Sequence, residues 1–452
     1  MQNEIPRART GTALISLNKI LLARTAATSV VQSLVVKALV LVLTLGCGMI
    51  TARALGPAGR GAQSAIVLWP YLVSGLAGLG ISPALTYHTS RSRHSEGGFL
   101  FAAVILTAAA GAIGAAVGSF VVPFYLTRYS PDVIRSAQVI LLFSPAILLG
   151  NVFRANLEAR GLFAPSNASR LWPTLFTLLG LAVLWLLHAL TPFTAGLTLF
   201  VPLVVQTVWL GCDLAERFSF NLHSLIPDSR TLLSYGLRTY GTDVFFTLSS
   251  QVDQAVIIVF LSPASLGLYT VALAASRTLN VLQISLNMVL LPKASGLEFD
   301  KALALVGRMV RISNLVTFAG ALVSLAIIPV VLPLFYGGAF TAAAPITRVL
   351  IGETFLMGAA SVLAQAFNST GRPGTVTLLQ AGWIATSIAF LVLLVPRMGL
   401  SGAAFALLLS SLVRLVATLF CYPLVLHRPI PRLVPTGGDV GYMMSKIERY
   451  RR

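Results

Sequence analysis

About twelve apolar stretches, each close to the length that crosses a bilayer, occupy this chain from residue 29 to residue 425. A hydrocarbon core of ~30 Å takes ~20 helical residues at ~1.5 Å of rise each. Windows at 29–51, 64–86, 98–121, 134–153, 170–189, 193–211, 236–260, 266–290, 311–335, 344–366, 375–395 and 401–425 approach that length. They are continuously apolar rather than alternating, which excludes a membrane β-barrel. The expected fold class is therefore an all-α polytopic membrane protein. No window of soluble-domain size is left over for a separate enzyme domain.

Charge sets the expected orientation. The chain carries a net charge of +18, which by itself would also suit nucleic acid. The basic residues are unevenly placed, however. Arg91 and Arg93, Lys301, Arg308 and Arg311, and the tail from Arg428 to Arg452 all fall on one side of the expected spans. Retained Lys and Arg mark the cytoplasmic side, so both termini are expected there, beside anionic lipid, and no nucleic-acid partner is expected. The segments read as a cytoplasmic or interfacial stretch 1–28, a first six-helix half 29–211, a polar linker 212–233, a second half 234–425 and a basic tail 426–452. Cys47, Cys212 and Cys421 lie at unrelated spacings and read as small apolar residues, not as disulfide or metal partners.

The two halves echo one another. Leu55, Pro57, Ala58 and Gly61 align with Leu261, Pro263, Ala264 and Gly267, and the same offset brings Gly196 onto Gly402. Six spans per half leave both halves in the same orientation, as in parallel repeats related by an axis along the membrane normal. Glycines at 75, 78 and 80 on the second span, and at 111, 114 and 118 on the third, suit close helix contact in lipid.

The chemistry is expected inside the membrane. A charged side chain at a helix centre costs ~2.5–3.5 kcal/mol on insertion scales, so such residues face protein or a wet cavity. The set is Lys37, Asp243, Asp253, Arg277, Arg348, Glu353 and Arg414, with Lys37 and Arg414 also placed where snorkelling to the interface competes. On the seventh span Asp243, Thr247, Ser250 and Gln254 share a face; on the eighth, Ser276, Asn280, Gln283 and Asn287 repeat the spacing with Arg277 beside them. Two readings stand: hydrogen bonding between the helices, or two walls of a polar passage. A passage containing Arg277 and Arg348 favours an anionic group such as phosphate. Lys37, Asn280, Gln283, Asn287, Ser250 and Gln254 complete the candidate substrate contacts, and Asp243, Asp253 and Glu353 are candidates for a coupling ion. No motif for a catalytic residue, metal or cofactor is present, and none is expected.

Several ordered segments resemble the oligosaccharide flippases of bacterial polysaccharide synthesis, within the multidrug/oligosaccharidyl-lipid/polysaccharide (MOP) exporter superfamily. They are Ala52-Arg53-Ala54-Leu55-Gly56-Pro57 with Gly61, and Gly78-Leu79-Gly80-Ile81-Ser82-Pro83-Ala84-Leu85. Asp253 with Leu266-Gly267-Leu268-Tyr269, Leu291-Pro292, Leu334-Phe335-Tyr336-Gly337 with Phe340, and Gly399 with Gly402-Ala403-Ala404 follow in order. The resemblance implies two pseudo-symmetric six-helix lobes around a central V-shaped cavity. It also implies movement of an undecaprenyl-pyrophosphate-linked oligosaccharide from the inner to the outer leaflet of the bacterial inner membrane. The implied partners are that lipid-linked sugar, membrane lipids, H+ or Na+ as coupling ion, and the neighbouring polymerase or glycosyltransferases. Basic cavity residues would hold the pyrophosphate, though no family motif fixes which.

Three rivals are distinguishable. A drug or cation/proton antiporter of the superfamily usually has an acidic cavity, whereas this interior leans basic. Lipid II flippases usually carry two more helices. A membrane-embedded polymerase or ligase commonly has a long external loop, and the largest expected here, near 122–133, is short.

Overall fold

The structure is a computed structural model that describes residues 26–91, 96–217, 224–280, 283, 290 and 294–434. The N-terminal stretch up to residue 25, Arg93, the connector 218–223, Asn287, Leu291-Pro292 and the tail beyond 434 lie outside the described residues.

Helices dominate because the apolar runs are long and a lipid-embedded backbone must satisfy its own polar groups. In chain order they are α1 (Ala26–Ala77), α2 (Ile81–Arg91), α3 (Glu96–Tyr125), α4 (Pro131–Leu141), α5 (Ser144–Ala159) and α6 (Phe163–Leu186). There follow α7 (Pro192–Arg217), α8 (Leu225–Phe260), α9 (Pro263–Arg277), α10 (Phe299–Tyr336), a 3₁₀ turn (Gly338–Ala343), α11 (Ala344–Ser369) and α12 (Pro373–Cys421).

Among the described residues, nine helices are long and apolar enough to cross a membrane. Two of them are double. The 52 residues of α1 would run ~78 Å if straight, well over twice the hydrocarbon core. The chain instead folds back at Gly56 (φ 64°, ψ −179°), and Arg60 Nη1 reaches Thr51 Oγ1 at 2.9 Å. In α12 the same happens at Gly399 (φ 59°, ψ −135°). Positive φ at these turns suits a residue without Cβ.

Three helix boundaries differ from the expected windows. The fourth span divides into α4 and α5, because Pro145 at the start of α5 has no N–H to continue the ladder. The eighth is interrupted after Arg277, where Thr278 and Leu279 form a turn. The linker expected at 212–233 is mostly helical: α7 runs to Arg217 and α8 starts at Leu225, where Leu232 is buried among residues of the first half.

The apolar cores are distributed unequally between the two ends of the bundle. At the end carrying the connectors around residues 127, 262 and 337, one continuous core joins both halves: Ile66, Trp69 and Ile140 pack in the same cluster as Ile257, Tyr269 and Val395. At the terminal end, near residues 91 and 426, two separate clusters form. One holds Leu85, Leu100 and Phe153; the other holds Val306, Leu363 and Tyr422. Among the described residues of these clusters it is α8 that crosses between them, placing Leu232 and Tyr235 against the first half.

That crossing is clasped by aromatic rings. His88 of α2 stacks on Phe99 at 5.3 Å and meets Tyr235 of α8 edge-on at 5.6 Å, while Tyr87 stacks on Tyr235 at 4.5 Å. Burial, helped by the positive charge of Arg91, holds the His88 pKa below its ordinary value. The unfolded chain therefore binds this proton more readily, and the contribution is lost as pH falls through 6.5. Thermal unfolding of detergent-solubilised protein between about pH 8 and pH 5 should show a lower midpoint on the acid side. His88→Gln should flatten that dependence, and an unchanged slope in this variant would exclude His88 as its source.

Candidate functional site

Two cavities lie between the halves and share Tyr71 and Gln251 in their walls. The first, of about 470 Å³, lies toward the terminal end, between α1, α2, α5 and α6 on one side and α8 on the other. The second, of about 400 Å³, is walled by α1, Leu199 of α7, α8 and α9.

α1 supplies both walls because its second arm begins at Pro57, immediately after the fold-back. Arg60, Ser64, Tyr71, Ser74 and Gly78 then fall on one helical face. From the opposite half α8 presents Asp243, Thr247, Ser250 and Gln251 to the first cavity and Gln251 and Gln254 to the second.

The two cavities differ in charge. In the first, Arg170 is bound to Glu158 at 2.9 Å, and Arg154 Nη2 donates to Asn151 Oδ1 at 2.6 Å. With Asp243 also in the wall, two cations face two carboxylates. The second cavity holds Arg60 and Arg277 and no acidic residue in its lining. Arg60 Nη1 donates to Thr51 Oγ1 and, at 2.7 Å, to Gln63 Oε1, while its Nε is buried without a hydrogen bond. Among the described residues neither Arg60 nor Arg277 forms an ion pair. A guanidinium drawn out of water without a carboxylate partner, as Arg60 is, is costly, and two guanidinia facing one cavity suit an anion.

Behind the second cavity sit two buried carboxylates. Asp253 is 2% exposed; it accepts the Tyr269 hydroxyl at 2.5 Å and the Gln254 N–H at 2.9 Å. Glu353, also 2% exposed, accepts Ser411 Oγ from α12 at 3.1 Å. Arg277 stands within electrostatic range of Glu353 and of the Tyr269 hydroxyl. The arginine-lined cavity and the buried acids thus share one residue.

A family model described as polysaccharide biosynthesis protein matches residues 50–369. The chain belongs to that polysaccharide biosynthesis family. No match was found among curated proteins. Among solved structures, the lipid II flippase MurJ in an inward closed conformation is similar with a TM-score of 0.71 at 16% identity, over 85% of this chain and 86% of that one. An inward-facing multidrug resistance MATE transporter of the MOP superfamily gives 0.69 at 14% identity, over 90% and 96%. An outward-facing MATE transporter gives 0.57 at 14% identity, over 86% and 94%. The family member described here shares its fold with these two-lobed membrane proteins and, with nine candidate spans among its described residues, is a multi-pass membrane protein.

Against that frame the residues singled out in the sequence divide. The α8 stripe of Asp243, Thr247, Ser250 and Gln254 faces the cavities, and Arg277 faces the second. Of the stripe on the eighth span, Ser276, Asn280 and Gln283 are described and none of them lines either cavity; Asn287 lies outside the described residues. Ser276 is buried against its own helix, and Asn280 lies outside both linings. Gln283 is buried and donates to Thr317 Oγ1 of α10 at 3.3 Å, an interhelical bond within the second half. Arg348 and Lys37 are exposed on their helices and line neither cavity. Arg414 is buried, with its guanidinium 5.8 Å from the Trp383 ring.

Arg60, Tyr71, Arg154, Arg170 and Gln251 were not singled out. Arg60 had been assigned to a connector; reading Pro57 as a first helical residue puts it one turn into the second arm, in phase with Ser64 and Tyr71.

Proposed function

We propose that this chain is a flippase carrying an undecaprenyl-pyrophosphate-linked oligosaccharide from the cytoplasmic to the outer leaflet of the bacterial inner membrane. The cargo would serve O-antigen, exopolysaccharide or capsule synthesis. One observation carries the reading: the cavity between the lobes ends in a compartment with two arginines and no acid. The basic residues Arg91, Arg308 and Arg428 support a cytoplasmic terminal end. A pyrophosphate entering there would meet a charge-balanced vestibule first, and beyond it the uncompensated Arg60 together with Arg277. The electrostatic gradient runs in the direction of transfer. Arg154 and Arg170 would receive the anionic head, and the glutamines and serines of α1 and α8 would follow the sugar hydroxyls. Asp253 and Glu353 would take the coupling H+ or Na+, answering the charge that the cargo brings to Arg277. Polymerase and glycosyltransferases of the same route would supply and consume the cargo.

In a strain lacking this protein, lipid-linked sugars should stall at the cytoplasmic leaflet, and the wild-type chain should clear them. Arg348→Ala should clear them equally well, since that side chain is exposed away from the cavities. Arg277→Ala should not. Full clearance by Arg277→Ala would remove the site assignment. The similarity to MurJ keeps lipid II, which carries the same pyrophosphate, as a second cargo. Rescue of a strain depleted of its own lipid II flippase would select it.

A further inference from the structure

We infer that two pairs of glycines, Gly61 with Gly267 and Gly80 with Gly236, are the gating seams along which the halves part, one at the connector end of the cavities and one beside the cavity toward the terminal end. The inference rests on the transport reading above and assigns its moving seams.

The first pair comes from the internal repeat. Its two copies, one in each half, lie back to back. A Cβ on Gly61 would stand 2.9 Å from the Gly267 amide nitrogen and overlap the Pro263 carbonyl. A Cβ on Gly267 would stand 3.0 Å from the Gly61 nitrogen and overlap the Pro57 carbonyl. The contact is reciprocal, as when a two-fold axis passes through an interface. The repeat therefore marks the place where the lobes meet around their pseudo-symmetry axis, at the end that shares one apolar core.

The second pair joins the halves toward the terminal end. A Cβ on Gly236 of α8 would lie 2.6 Å from the Leu79 carbonyl oxygen, and one on Gly80 would overlap the Gly236 carbonyl. The Tyr240 hydroxyl donates to the Leu76 carbonyl beside them. None of the four glycines is in the cavity walls, and the first cavity runs past the second seam to Ser82, Pro83 and Thr86 of α2.

The surfaces in contact distinguish these glycines from packing glycines elsewhere. Within the first half, Gly114 and Gly118 of α3 meet side chains of Val73, Ala77 and Leu141, which interlock and resist separation. At the two seams peptide planes of opposite halves touch directly; the atoms nearest Gly61 and Gly267 are all backbone, and at Gly80 only the Thr239 hydroxyl joins the Gly236 carbonyl. Such a seam parts by rigid-body rocking without repacking. It also tolerates no added carbon, so a side chain there is a wedge acting on one end only.

Single-cysteine reporters test this in a chain whose Cys47, Cys212 and Cys421 are replaced by alanine. Ser64→Cys reports the second cavity and Ser250→Cys the first, each exposed to a membrane-impermeant thiol reagent from one side of the membrane. Gly61→Val or Gly267→Val should raise labelling of Ser64→Cys from the outer face by about tenfold, as when a minor state becomes dominant. Gly236→Val should raise labelling of Ser250→Cys from the cytoplasmic face only. Equal labelling of wedge and parent proteins, or a rise from both faces alike, would overturn the assignment. Where a valine variant fails to fold, bridging Ala58→Cys to Ala264→Cys with a short bis-maleimide replaces it. The bridge should stop transport, and undiminished transport through a bridged seam would count against the gate. Labelling reads sidedness alone, so these gates stand or fall independently of the cargo.

Discussion

Arg60→Gln should lose most transport while the purified protein stays as heat-stable as the parent, or becomes more so. The guanidinium holds a buried, unpartnered Nε and no carboxylate, so the fold carries its desolvation without return. Glutamine removes the charge and still reaches toward Thr51 and Gln63. The cargo loses a charge-assisted contact of ~1.5–3 kcal/mol, a roughly ten- to hundredfold fall in affinity at 1.4 kcal/mol per decade. Arg60→Lys should recover part of the activity, since it restores the charge without the planar fork. Clearance of stalled lipid-linked sugar and a thermal melt, measured on the same variants, decide it. A variant that melts early and transports normally would make Arg60 a structural residue.

Asp253 should show the second large effect, and two variants separate its roles. Asp253→Leu leaves the Tyr269 hydroxyl, on a fully buried side chain, without its acceptor at a cost of ~1–3 kcal/mol. Adding Tyr269→Phe removes the stranded group and should recover most of that stability, a coupling that a double-mutant cycle reads directly. Transport should not return with it if Asp253 takes the coupling ion, as proposed above, because the carboxylate is still missing. Asp253→Asn, which keeps the shape, should leave whatever transport remains insensitive to an imposed proton or sodium gradient. Gradient-dependent transport in the Asn variant would reassign coupling to Glu353 or elsewhere.

The spans and the polar face of α8 were legible because both are periodic and local. Apolar length reports a membrane helix wherever it occurs, and Asp243, Thr247, Ser250 and Gln254 keep their phase through an unbroken helix. On the eighth span even spacing does not reveal the partners: Gln283 bonds Thr317 within the second half, and Asn280 lies outside both cavity linings. Exposure of Arg348 and Lys37 was equally out of reach, since a helix carries a charge at the same sequence depth whichever way it faces. Arg60 was legible in principle, through Pro57 as a helix start, but looked like a connector residue. The repeat was visible as sequence, whereas the contact between its copies is a fact of the third dimension.

The unequal cores described above have a consequence for the empty transporter. Opening toward the outside must wet apolar surface that both halves share, while opening toward the cytoplasm breaks chiefly the α8 clasp around Tyr235. Water penalises the first far more than the second. An unloaded molecule should therefore rest facing the compartment in which its cargo is built, and bound cargo or an incoming ion must supply the bias that turns it around.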